Sequence, residues 1–313
     1  MKITQPGIYR GIDTADYFAD PCPQPSLSQS LCKILLERSM GKVKESHPRL
    51  AAPVDEDDEA EKYVKAQAIG NAAHKMLIGR GKEIEIIQFG DFRKNDAKDL
   101  RDAAIADGRV PILEKHFGAA ERMVAAARDQ LSRHKDRDAF TAGAGEVALI
   151  WQDGDIWCRA LVDWLHDDLR TVDDYKTSGM SMAPHVIGLR AQAAGWEIQA
   201  AFIERGLDAL DPDGRGRRLF RFIGQEQDGL PHALTSMHMD EHWMTMGRKK
   251  VAAAMAKWRV SLRLDRWPLY GNQPVVPEYP GFKESQWLDR EMSGEFEPGQ
   301  VVYGHDPKNL MAG

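Results

Sequence analysis

Gly145-Glu146-Val147-Ala148-Leu149-Ile150-Trp151-Gln152-Asp153-Gly154-Asp155-Ile156-Trp157-Cys158-Arg159-Ala160-Leu161-Val162-Asp163, followed closely by Val172-Asp173-Asp174-Tyr175-Lys176-Thr177, is the stretch that decides the fold. Glu146 to Trp151 is aliphatic and aromatic and reads as a strand. Asp153-Gly154 suits a two-residue hairpin turn. Ile156 to Leu165 reads as the returning strand, and Leu169 to Thr177 as a third. Successive strands without intervening helices specify an antiparallel or mixed sheet, so the chain is α+β and not doubly wound.

Strand geometry tests which polar side chains meet. With Asp153-Gly154 as the turn, Gln152 stands opposite Asp155, and Glu146 opposite Leu161. Opposed residues share a face, as do residues two apart on one strand, so Glu146 and Asp163 become diagonal neighbours with Cα atoms roughly 7 to 8 Å apart. A two-residue turn at Asp167-Asp168 sets Val172 opposite Asp163 and brings Asp174 and Lys176 to that face. A loop of odd length would turn them away.

Carboxylates this close repel one another and titrate upward unless a cation sits between them. A hard divalent cation such as Mg²⁺ takes one or two carboxylates together with water and phosphate oxygens. Asp163 and Asp174 can supply those ligands. Lys176 can reach a metal-bound water or a phosphate and offset charge in a transition state.

Outward from the strands, residues 1 to 25 are rich in Pro, Asp and Gly and read as irregular. An apolar-periodic stretch from Ser26 runs through Leu31, Ile34, Leu35 and Met40, with Ser28 or Ser30 as N-cap. Residues 44 to 60, with the acidic run Asp55-Glu56-Asp57-Asp58-Glu59, read as a loop. Residues 60 to 79 read as a helix, with Tyr63, Gln67, Gly70, His74 and Leu77 spaced by three or four. The small residues Gly70, Ala72 and Ala73 let this helix approach a neighbour closely. Helices are also expected over 95 to 107, 113 to 133, 185 to 208 and 240 to 264, with a hairpin of 219 to 225 and 233 to 239 between the last two. From Trp267 the chain is rich in Pro, Gly and Tyr and reads as surface. The expected organisation is an N-terminal extension with one helix over 1 to 60, a core over 61 to 271, and a tail over 272 to 313.

Composition narrows the function. At 313 residues, with 42% hydrophobic and 29% charged, the chain can build a large core. No apolar run reaches the roughly 18 to 20 residues of a membrane span. The opening Met1-Lys2-Ile3-Thr4 lacks the apolar core of a signal peptide, so a cytoplasmic location, in a bacterial host, is expected. Cys22, Cys32 and Cys158 form no CxxC pair and are too few for a four-cysteine cluster. GxSxG, HExxH, the P-loop and a strand–helix GxGxxG are all missing, which sets aside the commonest other hydrolases. The net charge of −6 weighs against a polyanion partner, although a whole-chain sum cannot show a local basic patch.

Gly145-Glu146-Val147, Cys158 to Asp163 and Val172 to Thr177 resemble the central motifs of the PD-(D/E)XK nuclease superfamily, and more narrowly its RecE/RecB-like branch of phage and prophage exonucleases, of the exodeoxyribonuclease VIII type. There a "GRxD" strand precedes "vxDxKT"; here Leu161 stands where the arginine is usual. Gly70-Asn71-Ala72-Ala73-His74 resembles the branch's "GxxxH" helix. Gln199-Ala200-Ala201-Phe202-Ile203 resembles its "QxxxY" helix, with Ile203 in place of tyrosine, and Gln192 to Trp196 is a competing match. Gly7-Ile8-Tyr9, Tyr17 to Pro21, Leu27 to Ser30 and Trp267 to Gly271 extend the likeness over about residues 7 to 271.

The resemblance implies a restriction-endonuclease-like core, a mixed central sheet flanked by helices. It implies Mg²⁺, with Mn²⁺ substituting, bound by Asp163, Asp174 and the carbonyl of Tyr175 with His74 beside them. Glu146, Lys176 and Gln199 complete the expected catalytic set, Lys176 positioning the attacking water. Double-stranded DNA ends are the implied substrate, a single-strand annealing protein the implied companion in phage-type recombination, and a homo-oligomer is compatible with it. Lys75, Arg80, Lys82 and Arg190 are candidate phosphate holders. An endonuclease on the same fold and an inert DNA-binding or assembly module are the alternatives. The cysteine count argues against a cluster-bearing nuclease, and the intact Asp163, Asp174 and Lys176 argue against the module.

Overall fold

The structure is a computed structural model and describes residues 2–52 and 65–296. The acidic run Asp55 to Glu59 and the first residues of the expected 60-to-79 helix, Tyr63 included, lie outside the described residues. Contacts divide the chain into Met1–Leu269 and Tyr270–Gly313.

The fold is α+β. The long hairpin of β5 (Gly143–Asp153) and β6 (Ile156–His166) forms the middle of a mixed sheet. β1 (Gly7–Arg10) runs antiparallel to β5, and β7 (Thr171–Ser178) antiparallel to β6. β8 (Leu219–Glu226) runs parallel to β7, and β9 (Leu234–His238) antiparallel to β8. The two-residue β2 (Leu27–Ser28) lies parallel to β6. The helices are α1 (Thr14–Phe18), α2 (Gln29–Glu37), α3 (Met40–Ser46), α4 (Lys65–Ile78), α5 (Asn95–Ala106), α6 (Glu114–Ser132), α7 (Ile187–Ala194), α8 (Trp196–Leu210), α9 (Glu241–Leu264) and α10 (Gly281–Met292). Among the described residues none is long and apolar enough to cross a membrane.

Helices cover both faces of the sheet. Val147, Leu149, Trp151, Cys158, Ala160 and Val162 pack with apolar residues of α2, α8 and α9 in one core. Tyr175 and Ile223 turn the other way, onto α4 and α6. A third cluster joins Ala148, Ile150 and Trp157 to Ile3, Ile12 and Tyr17. Burial on both sides explains why the strands read as nearly continuous apolar runs.

The register differs from the sequence reading by two residues in each hairpin. Asp153 pairs with Ile156, so the first turn is Gly154-Asp155, and Glu146 lies across from Asp163 instead of Leu161. The second loop has four residues, Asp167 to Arg170, not two; Asp168 Oδ1 braces it by accepting the N–H groups of Arg170 (2.8 Å) and Thr171 (3.1 Å). Trp164 pairs with Asp173, which sets Asp174, and not Val172, across from Asp163. A shift of two leaves every side chain on its face, so the expected grouping survives.

Other elements also depart from the sequence reading. The N-terminal stretch holds β1 and α1, and a parallel pair, β3 (Ile84–Ile87) with β4 (Val110–Leu113), links α4, α5 and α6. Strands of four residues are too short to show a period. The expected 185-to-208 helix breaks at Gly195, whose φ of +73° interrupts it. Ser28 caps α2 as expected, but the stretch toward Met40 breaks and α3 starts afresh on a Ser39 cap. In the second unit, α10 falls where surface loop is expected, and Trp287 stacks on Phe296 with ring centroids 4.5 Å apart.

Candidate active site

The site begins where β6 loses its partner. On the edge away from β5, β6 pairs with β2 at Cys158 and Arg159 and with β7 at Trp164 and Leu165. Among the described residues, 160–163 make no ladder pair on that edge. Asp163 fills the gap with its side chain, Oδ2 accepting the N–H of Tyr175 at 3.1 Å. On the β5 side Gly145 and Val147 are paired, while Glu146 between them takes φ +48°. The sheet is thus irregular on both sides of Asp163, and both acids lean toward a cleft of about 530 Å³.

α4 supplies the roof. A Cβ at Gly70 would lie 2.7 Å from Thr177 Oγ1, so the helix seats on β7 only because residue 70 has none. One turn on, His74 Nε2 reaches Asp163 Oδ2 at 3.4 Å. Gln199 of α8 donates to Asp174 Oδ2 from the opposite layer, whereas the competing Gln192 lies at a separate pocket with Trp243 and Lys250. Lys176 Nζ lies 2.5 Å from Asp174 Oδ1. Tyr175 contributes backbone only: its ring is buried, and its hydroxyl donates to Gln225 Oε1 at 2.5 Å.

All the expected residues therefore converge on or beside one cleft. His74, Glu146, Asp163, Tyr175 and Lys176 line it, and Gln199 backs Asp174 from behind. Of the basic candidates, Lys82 also lines it. Lys75 pairs with Glu83 at 2.6 Å, Arg190 holds the Ser181 carbonyl at 2.6 Å, and Arg80 lies near Gly11. Leu161, in the usual arginine position, also lines the cleft, and Ile203 is core.

Three lining residues were not legible in the sequence. Thr14 donates to Glu146 Oε2 at 3.2 Å, and Phe18 sits at the other end of the same short helix. Gln227, beside Thr177, ties β8 to Ala66 of α4 at 2.9 Å. Thr14 and Phe18 come from the stretch that reads as irregular; Phe18 falls within the Tyr17-to-Pro21 likeness, but neither is singled out there as a site residue.

The electrostatics separate the two aspartates. Burial, and next the charge of Asp163, push Asp174 up to about 6, against the opposing pull of Lys176. Asp163 is desolvated too, but His74, Lys176 and the Tyr175 N–H together hold it below the usual carboxylate range. Burial opposes charge on His74 and Lys176, yet the facing carboxylates keep both above their ordinary values. Asp174 Oδ1 is buried, and its partner is the Lys176 ammonium at 2.5 Å.

Among the described residues, no group of three His, Cys, Asp or Glu side chains is arranged to hold a metal ion as it stands. The donor set still suits a Mg²⁺-like ion, which needs only one or two carboxylates when water and phosphate complete its shell. The Asp163–Asp174 repulsion is what such an ion would relieve.

No family model matches the chain, and no curated protein matches it in sequence. In fold it is similar to the crystal structure described as "Putative exonuclease" from Eubacterium rectale, with a TM-score of 0.54 over 88% of this chain and 98% of that one. The two share 11% identity, so the likeness is one of fold.

Proposed function

We propose that the cleft hydrolyses phosphodiester bonds of DNA as a metal-dependent nuclease of the PD-(D/E)XK type, acting on duplex from an end. The observation that carries this is the Asp163–Asp174 pair, opened by the missing ladder and faced by Lys176, with burial and the charge of Asp163 pushing Asp174 up to about 6. A fold shared with a structure described as an exonuclease supports it.

Asp163, Asp174 and the Tyr175 carbonyl would hold Mg²⁺ or Mn²⁺, with His74 beside them. The ion would supply Lewis acidity at the phosphate and an acidified water. Gln199 fixes the Asp174 carboxylate by donating to Oδ2. Lys176 is kept as an ammonium by the two carboxylates. It therefore acts as a donor that orients water and offsets charge growing on phosphate oxygens. Glu146, tethered by Thr14, stands ready to take a proton through water.

The test is release of nucleotides from linear duplex and from closed circular DNA with Mg²⁺, Mn²⁺ or EDTA, using wild type and Lys176→Ala. Metal-dependent release from the linear form, reduced about 10²- to 10³-fold in the variant, is expected. Nicking of the circle would replace end-directed action by endonuclease action. DNA binding without cleavage in any metal would leave an inert binding module.

A further inference from the structure

Gln225 is a wholly buried glutamine on β8, set among apolar neighbours under α6. An amide is costly to bury unless its polar atoms are paired. Here both ends are. Oε1 accepts the Tyr175 hydroxyl at 2.5 Å. Nε2 donates to the Met123 carbonyl of α6 at 2.9 Å and to the His232 carbonyl ahead of β9 at 3.0 Å. Of those three partners, Tyr175 alone lines the cleft.

Tyr175 works on two sides of its strand. Its ring lies in the core between the sheet and α4 and α6, while Asp174 and Lys176, its neighbours in sequence, alternate to the other face. Its N–H donates to Asp163 Oδ2 at 3.1 Å, across the stretch where β6 makes no ladder pair. In a strand the N–H and carbonyl of one residue leave by the same edge, so the Tyr175 carbonyl turns toward that gap as well. A twist of β7 about its own axis would carry both groups away from Asp163 together.

What resists the twist at residue 175 is the ring. Phe140 meets it edge-on with centroids 6.3 Å apart, a contact with some freedom to slide. The hydrogen bond to Gln225 is directional. Gln225 cannot follow the ring, because its other end is fixed to α6 and to the β8–β9 connection.

We propose that Gln225 is a positioning residue for the metal: through the Tyr175 hydroxyl it fixes the backbone of residue 175 against Asp163, and so sets how tightly a divalent ion is held. This rests on the nuclease reading above. A small cation such as Mg²⁺ tolerates little displacement of its ligands. Partners that orient ligands are typically worth about 10- to 100-fold in metal affinity.

The experiment measures Mn²⁺ binding to the full chain without DNA, from the loss of the free-ion EPR signal, beside the Mg²⁺ dependence of cutting and the urea midpoint. Gln225→Met keeps the side-chain volume and removes the amide. Tyr175→Phe keeps the ring and removes only the hydroxyl, so it disturbs folding least. Each should raise the Mn²⁺ Kd about tenfold, and the double variant no further, because both break one link. The Mg²⁺ concentration for half-maximal cutting should rise by a similar factor, with most of the rate returning at saturating Mg²⁺. Gln130→Leu is the control. Gln130 also ties α6 to the β8–β9 connection, through the His232 carbonyl at 3.1 Å and the Leu234 N–H at 3.0 Å, but it has no hydrogen bond to Tyr175. It should lower the urea midpoint and leave Mn²⁺ affinity unchanged. If Gln225→Met does not fold, Tyr175→Phe against Gln130→Leu decides alone. Should both variants bind Mn²⁺ like wild type, or weaken it no more than Gln130→Leu does, Gln225 is only structural; the proposal is then overturned, and the nuclease reading stands if wild type cuts. Weakened Mn²⁺ binding in the variants, with no cutting by wild type in any metal, leaves the positioning role without the nuclease. A wild type that binds no Mn²⁺ overturns the proposal, and one that also cuts nothing overturns both.

Discussion

Asp173 and Asp174 are neighbours on β7, both almost wholly buried, and their surroundings are opposite. Asp173 accepts from Arg221 Nε at 2.5 Å and Nη2 at 3.0 Å and from the Phe140 N–H at 2.9 Å, and it meets His166 Nε2 at 2.7 Å. Arg221 is held in turn by Asp138 at 2.8 Å. Both oxygens of Asp173 have hydrogen-bond partners. Asp174 has Gln199 on one oxygen and Lys176 on the other, but it faces a second carboxylate, whose charge and its own burial push it up to about 6. One face is a closed polar network that ties β7 to β6 and β8; on the other, two buried carboxylates face each other. Folding gains from the first, and the second is where the proposed metal would sit.

The sharpest way to break the contrast is to neutralise each acid in turn. Asp174→Asn should cut nuclease activity about 10²- to 10³-fold while leaving urea stability unchanged or higher, because burial and the charge of Asp163 already disfavour its ionised form. Asp173→Asn should cost about 3 kcal/mol of stability by stranding Arg221, with residual activity in whatever protein remains folded. Equal loss of stability in both variants would erase the distinction.

A smaller effect is the pH dependence of the metal-free protein. With Asp174 raised from 3.8 to about 6, the native state keeps a proton that the unfolded chain has released. Stability in EDTA should therefore fall as pH rises from about 4 to about 6, by roughly 3 kcal/mol at most. The slope should vanish in Asp174→Asn. The rise at His74 acts in a higher window, above 6.5, where stability present at lower pH is lost. Urea midpoints across this range settle it; a flat profile in wild type would mean that Asp174 carries no such strain.

The smallest expected effect is at Thr14→Val. Losing one partly buried hydrogen bond to Glu146 should cost about 1 kcal/mol or less in stability and a few-fold in activity. An effect as large as that of Lys176→Ala would move Thr14 from tethering Glu146 to direct contact with substrate.

The site was more legible than the scaffold around it. Glu146, Asp163, Asp174 and Lys176 lie on strands of high apolar content, and a period of two tolerates the register errors made at both turns because each was an even shift. The likeness of Gly70 to His74 and of Gln199 to known motifs located two more residues that no strand argument reaches. β1, α1, β3 and β4 stayed hidden because they are four or five residues long and owe their existence to distant partners. Thr14 and Phe18 were lost with them. The break at Gly195 was visible as a residue but not as a conformation, since an isolated glycine inside a helical pattern is often tolerated.

The gap in the β6 ladder has a further consequence, for association. A strand segment with unpaired backbone groups normally sits at the rim of a sheet, where it templates pairing with another chain. Here the unpaired residues 160–163 lie in the interior, with β2 standing on one side and β7 on the other. No second sheet can slide along such a window. That window leaves its backbone open to a small guest without offering the edge-to-edge contact that leads to fibrous aggregates.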